Sequence, residues 1–332
     1  LLLFGIFTFC IFDSRNYNNK SRFLFFIFFL FVVSAFFNGD GLYDYAIYVE
    51  SFNDYENRII EPTFLLFSHL IHQLLNGEVL YLFLIYSFLA ITFKYYAIKE
   101  LSVLLIPSLY LYLCNFYIAQ EWIQIRSGVA AGLLLLSVKA VFDRNLMKFL
   151  LLVLLAALFH VSALMFLIVY IFNPSKISKI ACLLIFMLSY LCYFIHVDFL
   201  SVLRWAAFID IIDSKLNAYE NIAIGTANVF SIAQIIKVCV TFFLLYNVEK
   251  IQLYNKYAII LLKIMLLSLC VLPLFASDAV AGTRIRDLFG TVEFILFPLI
   301  VYLFKNMFQG QIILFLIGAM LFTISMFNLL IR

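Results

Sequence analysis

The sequence predicts an all-α, polytopic integral membrane protein of about 10–12 membrane-crossing helices, some of them broken or re-entrant. Three observations carry this. Hydrophobic residues make up 66% of the 332 positions and charged residues only 12%, against roughly 45–50% and about 25% in ordinary soluble domains. Apolar runs recur along the whole chain at or near the ~20 residues needed to cross a bilayer. The chain holds 20 Tyr and 40 Phe, with the Tyr clustering where the apolar runs end, as an interfacial belt does.

Taken in order, the runs lie near residues 1–12, 23–37, 78–93, 101–119, 127–142, 180–197, 229–246, 258–276, 288–304 and 311–331. Residues 1–12 have no cleavage-type small-residue site and read as a span. Residues 63–75 are too short to cross and carry His69 and His72, which predicts a re-entrant or interface-lying helix. Residues 147–172 form one 26-residue run interrupted by Phe-His-Val-Ser at 159–162. Its length of about 39 Å as a straight helix suits one tilted span or two half-helices meeting at His160. No internal repeat or low-complexity linker divides the chain, so residues 1–332 read as a single membrane domain with outer loops at 38–62 and 198–228.

Basic turns set the orientation. Arg15, Lys20 and Arg22 place the first turn in the cytoplasm, so the 38–62 connection lies outside. That connection carries Asp40, Asp44, Glu50, Asp54, Glu56 and Glu61 against Arg58 alone. Lys94 and Lys99 return inside, as do Lys139, Arg144 and Lys148, which leaves Arg126 facing outward. The Lys/Arg count does not separate a single span at 147–172 from a hairpin. The hairpin is preferred because the loops it places inside after residue 172 are short and poor in acid. It also has a geometric consequence: about 17 residues inward from Arg126, some 26 Å, and about 13 back, some 20 Å, bring Arg126 and His160 to similar depth.

Polar groups inside an apolar chain are costly enough to be candidates for function. Arg126, beside Gln120, Glu121 and Gln124, either snorkels to the interface or offers a permanent fork of donors to a phosphate. His160 is either a packing residue or a proton acceptor suited to neutral pH; Ser162 beside it suits packing or a helix hydrogen bond. Gly128 and Gly132 form a Gly-x-x-x-Gly packing face. Asp40 and Asp44 share a face if their segment is helical, and Tyr45 and Tyr48 among them offer flat surfaces for sugars. Arg284 and Arg286 either pair with Asp278, Asp287 and Glu293 or join Arg126 in an anion site. Lys237, within a span, snorkels or pairs, and His196 lies near an interface. The six cysteines, at 10, 114, 182, 192, 239 and 270, contain no Cys-x-x-Cys and read as buried thiols, neither a disulfide frame nor a metal site. No Gly-rich phosphate loop or nucleotide signature appears, so ATP coupling, a cofactor, a metal and a nucleic-acid partner are not expected.

Five motifs in order carry a resemblance: Gly-Asp-x-x-x-Asp-Tyr-x-x-Tyr at 39–48, Glu-Pro-x-Phe at 61–64, Ile-Arg-x-Gly-x-Ala at 125–130 before a basic turn, Leu-Phe-His-x-Ser-Ala at 158–163, and Thr-Arg-x-Arg at 283–286. Together they resemble the EpsG/Wzy family of bacterial surface-polysaccharide polymerases, with Ser127 standing where family members often carry Gln. The resemblance implies a GT-C-like fold in the bacterial inner (cytoplasmic) membrane with its active site facing the periplasm. It implies glycosyl transfer from a glycan on undecaprenyl pyrophosphate to a hydroxyl of the next lipid-linked repeat unit, with a chain-length regulator as a further partner. Such a reaction needs cations for the pyrophosphate, here Arg126, Arg284 and Arg286. It also needs a base, here His160 with Asp40 and Asp44 as rivals. Tyr45, Tyr48, Glu61 and Gln124 are assigned to substrate binding. A flippase or transporter of lipid-linked oligosaccharide, or a membrane acyltransferase acting on surface glycans, would use similar residues.

Overall fold

The computed structural model describes residues 5, 10–13, 18–36, 43–58, 60–197 and 226–331. Asp40, most of the 1–12 run and most of the 198–228 loop lie outside the described residues. The regular structure among the described residues is all helical, with no strand. In chain order the helices are α1 (Lys20–Phe36), α2 (Tyr43–Asn53), α3 (Pro62–Leu74), α4 (Leu80–Leu101), α5 (Leu105–Asn115), α6 (Ile125–Phe142), α7 (Leu146–Phe159), α8 (Lys179–Phe194), α9 (Ile232–Tyr246), α10 (Val248–Tyr254), α11 (Ala258–Leu274), α12 (Ala279–Gly290), α13 (Glu293–Leu296) and α14 (Met307–Ile331).

Three of these, α4, α6 and α14, are individually long and apolar enough to cross a bilayer, and α9 with α10 makes a fourth if that pair, bent by 82°, is one span. Five further apolar segments run only 10–17 residues. The expected spans are therefore shorter and more broken than the apolar runs suggest. The 288–304 run is not one helix: α12 ends at Gly290, α13 follows, and a 3₁₀ segment covers Phe297–Leu303 with Pro298 at its start. Pro298 has no N–H for an α-helical bond, which favours this change of winding.

Side-chain size decides which helices sit inside. In α6, Gly128, Ala130, Ala131 and Gly132 keep the helix slim, and 14 of its 18 residues are buried, with α4 and α7 as its main neighbours. A Cβ at Gly132 would lie 2.8 Å from Phe93 Cβ on α4, and one at Gly128 would strike the Gln120 carbonyl. Both glycines thus serve packing, as their spacing predicts. By contrast α8 buries only Ser189 and exposes Ile180, Leu184, Met187, Leu188 and Phe194. An apolar helix with its large side chains outward belongs in lipid. Not all the thiols are buried: Cys239 is exposed, on the outward side of α9.

The 147–172 run folds back on itself. Helix α7 ends at Phe159, His160 is extended (φ −154°, ψ 111°), and Val161–Ile171 winds as a 3₁₀ helix. Fourteen α residues rise about 21 Å and eleven 3₁₀ residues about 22 Å, so the two arms match. The return is pinned at its end. Arg144 donates from Nη1 to the Tyr170 carbonyl (2.7 Å) and from Nη2 to the Phe172 carbonyl (2.7 Å), and Tyr170 Oη donates to the Arg144 carbonyl (2.8 Å). In a background without native cysteines, Lys148→Cys and Ser175→Cys are expected to react with an impermeant maleimide from the same side of sealed vesicles. Reaction from opposite sides would show that the run crosses once.

Candidate active site

The site grows from the Glu61-Pro62 pair. Proline disfavours the helical region for the residue before it and suits the first helical position. Glu61 accordingly sits extended (φ −57°, ψ 144°) at the start of α3 and makes no side-chain cap bond. Its carboxylate points instead to two other chain breaks. One oxygen, Oε2, accepts from Arg126 Nη1, and the other, Oε1, lies 3.3 Å from His160 Nδ1. Glu61 and His160 are each 4% exposed.

Each partner is held by its own stretch of chain. Arg126 is in the first turn of α6, where the helix dipole disfavours a cation, so the Glu61 carboxylate compensates it locally. Its guanidinium lies 5.3 Å from the Tyr48 ring centroid and 5.7 Å from that of Phe64, two rings stacked on each other at 6.2 Å, so both contribute cation–π contacts from one side. His160 occupies the break between α7 and the 3₁₀ return. Thr63 Oγ1 donates to the Leu158 carbonyl (2.8 Å), an acceptor that the end of α7 would otherwise leave without an intrahelical partner. That bond ties the start of α3 to the end of α7 and sets Glu61 against His160.

A small cavity of about 10 Å³ opens beside this cluster, lined by Asp44, Tyr48, Gln124, Arg126, Ser127, His160 and Arg284. Room on this scale admits about one water molecule. Arg284 of α12 closes the other wall, its Nη2 3.6 Å from Asp44 Oδ2 of α2. The looser and more exposed of the two ion pairs is Arg284–Asp44, with side chains 26% and 11% exposed, against 22% and 2% for Arg126–Glu61.

Other expected site residues fall elsewhere. Arg286 bonds to Asp287 (2.7 Å) and is not among the cavity-lining residues. Residues two apart on a helix diverge by about 200°, and because α12 is helical there, the expected three-arginine cluster reduces to Arg126 and Arg284. Tyr45 stacks on Phe83 at 5.3 Å and is not among the cavity-lining residues. Tyr48 reaches the cavity but is buried beneath Arg126, a support and not a free sugar platform. Gln124 lines the cavity from the junction before α6. Glu61 has a different place from the one its sequence suggests: it joins the histidine to the arginine.

Two buried ion pairs that the sequence does not reveal stabilise the surrounding bends. A π-helical turn, Ala119–Ile123, leads into α6, and π-turns recur at functional sites. Its Glu121 pairs with Lys94 of α4, both side chains at 0% exposure, and accepts from Tyr112 Oη (2.6 Å). Glu293 of α13 pairs with Lys237 of α9 (3.0 Å) and accepts from Asn115 Nδ2 (3.0 Å), which assigns Lys237. Lys237 and Glu293 each stand inside an apolar run, but Lys94 and Glu121 fall between runs, and Lys94, read as part of a basic inner turn, is instead buried against Glu121; in both pairs the partner lies far along the chain.

This arrangement defines the class: an all-α, polytopic membrane protein with a carboxylate, an imidazole and a guanidinium assembled at helix breaks. A model of the EpsG family matches residues 20–332, and the chain belongs to the EpsG family. No curated protein and no solved structure matches it. Membership supports a polymerase-type role in polysaccharide biosynthesis.

The Lys94–Glu121 pair gives a stability test. Lys94→Met leaves an uncompensated carboxylate and is expected to cost about 3–5 kcal/mol, whereas Lys94→Met with Glu121→Gln restores most of it, read by thermal unfolding in detergent. Equal instability of the single and double variants would contradict the pairing.

Proposed function

We propose that the chain is a membrane glycosyltransferase that polymerises lipid-pyrophosphate-linked oligosaccharide repeat units on the outer face of the bacterial inner membrane, with undecaprenyl pyrophosphate as the carrier. The observation that carries this reading is the shared Glu61 carboxylate, which brings His160 and Arg126 together beside one cavity. Family membership supports a polymerase-type role, in keeping with this reading.

In the reaction, a hydroxyl of the incoming repeat unit attacks the anomeric carbon of the glycan on the carrier. A new C–O bond forms, the bond to pyrophosphate breaks, and the hydroxyl proton must leave. His160 is the base. Glu61 faces its Nδ1, which orients the ring and stabilises the imidazolium formed when the proton arrives. The departing pyrophosphate gains negative charge and is met by the guanidinium groups of Arg126 and Arg284. An entering pyrophosphate gains most by exchanging with Asp44 for Arg284, the looser and more exposed of the two ion pairs. Asp44 thereby acts as a placeholder for substrate phosphate, and the separation of α2 from α12 makes room for sugar beyond the single-water cavity. Gln124, which lines the same cavity as the two arginines, donates to phosphate or sugar oxygens.

His160→Ala is expected to lower polymerisation by about 10²–10⁴-fold, the usual contribution of a general base. Arg126→Ala is expected to abolish long-chain glycan while single repeats on the lipid carrier accumulate on the outer face. Glycan ladders on gels and outer-face labelling of lipid-linked repeats read both. A normal ladder in both variants contradicts the site, and loss of outward-facing single repeats points to transport.

A further inference from the structure

A second cavity lies away from the candidate active site. It is an open cleft of about 310 Å³ between the start of α1, the last turns of α4 and the chain leading into α5. Tyr86, which contacts Thr63 at the active-site end of α4, and Lys99, which lines this cavity, are 13 residues apart on one helix, or about 20 Å. The volume reaches the lower end of the range for small-molecule sites, about 300–1,000 Å³.

Its charge is one-sided. Lys20 and Lys99 line it, both exposed, and none of its lining residues is acidic. Cations nearby are neutralised within the protein: Arg22 by Asp13 at 2.8 Å, and Lys139 by Asp143 at 2.9 Å and Glu100 at 3.3 Å. Among the described residues Lys20 and Lys99 have no such carboxylate. The floor is a stacked pair, Phe23 and Tyr95, with centroids 5.3 Å apart; Lys99 Nζ sits 5.6 Å from the Tyr95 ring centroid. The polar wall is ordered by the backbone. Asn18 Oδ1 accepts from Leu105 N (3.3 Å), which leaves the amide nitrogen as its donor, and Ser102 Oγ accepts from Leu104 N (3.0 Å). Lys20, Leu24 and Phe28 fall at i, i+4 and i+8 on α1, one helix stripe, and Leu24 and Phe28 are 54% and 63% exposed. An apolar track thus leads away from a doubly cationic cleft.

We propose that this cleft is a phosphate-binding site that takes the headgroup of an anionic phospholipid, its acyl chains lying along the Leu24–Phe28 stripe. The two ammonium groups supply point charges to phosphate oxygens, and the aromatic floor carries the glycerol backbone. This site is independent of the proposed polymerase chemistry and stands or falls without it.

The test is native mass spectrometry and lipid titration of the purified full chain in nanodiscs. Phosphatidylglycerol is compared with phosphatidylcholine, and a soluble arm uses glycerol 3-phosphate and inorganic phosphate. Wild type is expected to retain phosphatidylglycerol in preference to phosphatidylcholine. Lys20→Gln with Lys99→Gln weakens that retention by about thirtyfold, from roughly one decade or less per lysine, with an unchanged unfolding midpoint because both side chains are exposed. Lys148→Gln with Lys250→Gln removes two exposed lysines outside the cleft and leaves retention unchanged. Competition by glycerol 3-phosphate supports phosphate recognition with a soluble source, and its failure alongside lipid selectivity supports the lipid. Equal behaviour of the two double variants, or no selectivity for either phosphate source in wild type, overturns the proposal.

Discussion

One buried carboxylate organises this site. Glu61 is shared between Arg126 and His160, and each of the three occupies a break or end of a helix: the start of α3, the first turn of α6 and the gap after α7. A carboxylate in an apolar interior is tolerated only when paired and hydrogen-bonded. A cation in the first turn of a helix is opposed by the dipole. Each group therefore needs the other, and their mutual dependence holds three separate stretches of chain in one place. The fold-back of 147–172 exists in the same context, because a continuous helix there would carry His160 past Glu61 without the extended residue that turns it.

The other buried charges act at the same kind of position. Glu121 with Lys94 stabilises the π-turn before α6, and Glu293 with Lys237 stabilises the broken segment after α12. Where the chain departs from straight spans, backbone and side-chain polarity is matched locally by a long-range ion pair. Buried pairs of this kind contribute little net stability compared with apolar packing, but breaking one is costly.

Much of this was legible in the sequence. Composition and run length carry the membrane class, and the small residues of α6 carry its central place. The Phe-His-Val-Ser interruption marks the fold-back, and depth arithmetic brings Arg126 near His160. Glu61's role was not legible, because a carboxylate in an acidic loop looks like solvated surface; only the Pro62 that follows it hints at a fixed geometry. Arg286 looked equivalent to Arg284 because the sequence does not settle whether 283–286 is helix or loop, and the helix turns the two apart. The partners of Lys94 and Lys237 lie 27 and 56 residues away in sequence, beyond any local pattern.

If Glu61 serves catalysis through His160, the two residues act as one unit, and units are strongly non-additive. The most direct measurement is a double-mutant cycle on polymerisation rate with Glu61→Gln and His160→Ala in membranes supplied with lipid-linked repeat units. The prediction is that the double variant is slower than His160→Ala alone by far less than the single Glu61→Gln effect, the remainder coming from the Arg126 contact of Glu61. Effects that multiply would contradict a shared carboxylate–imidazole unit.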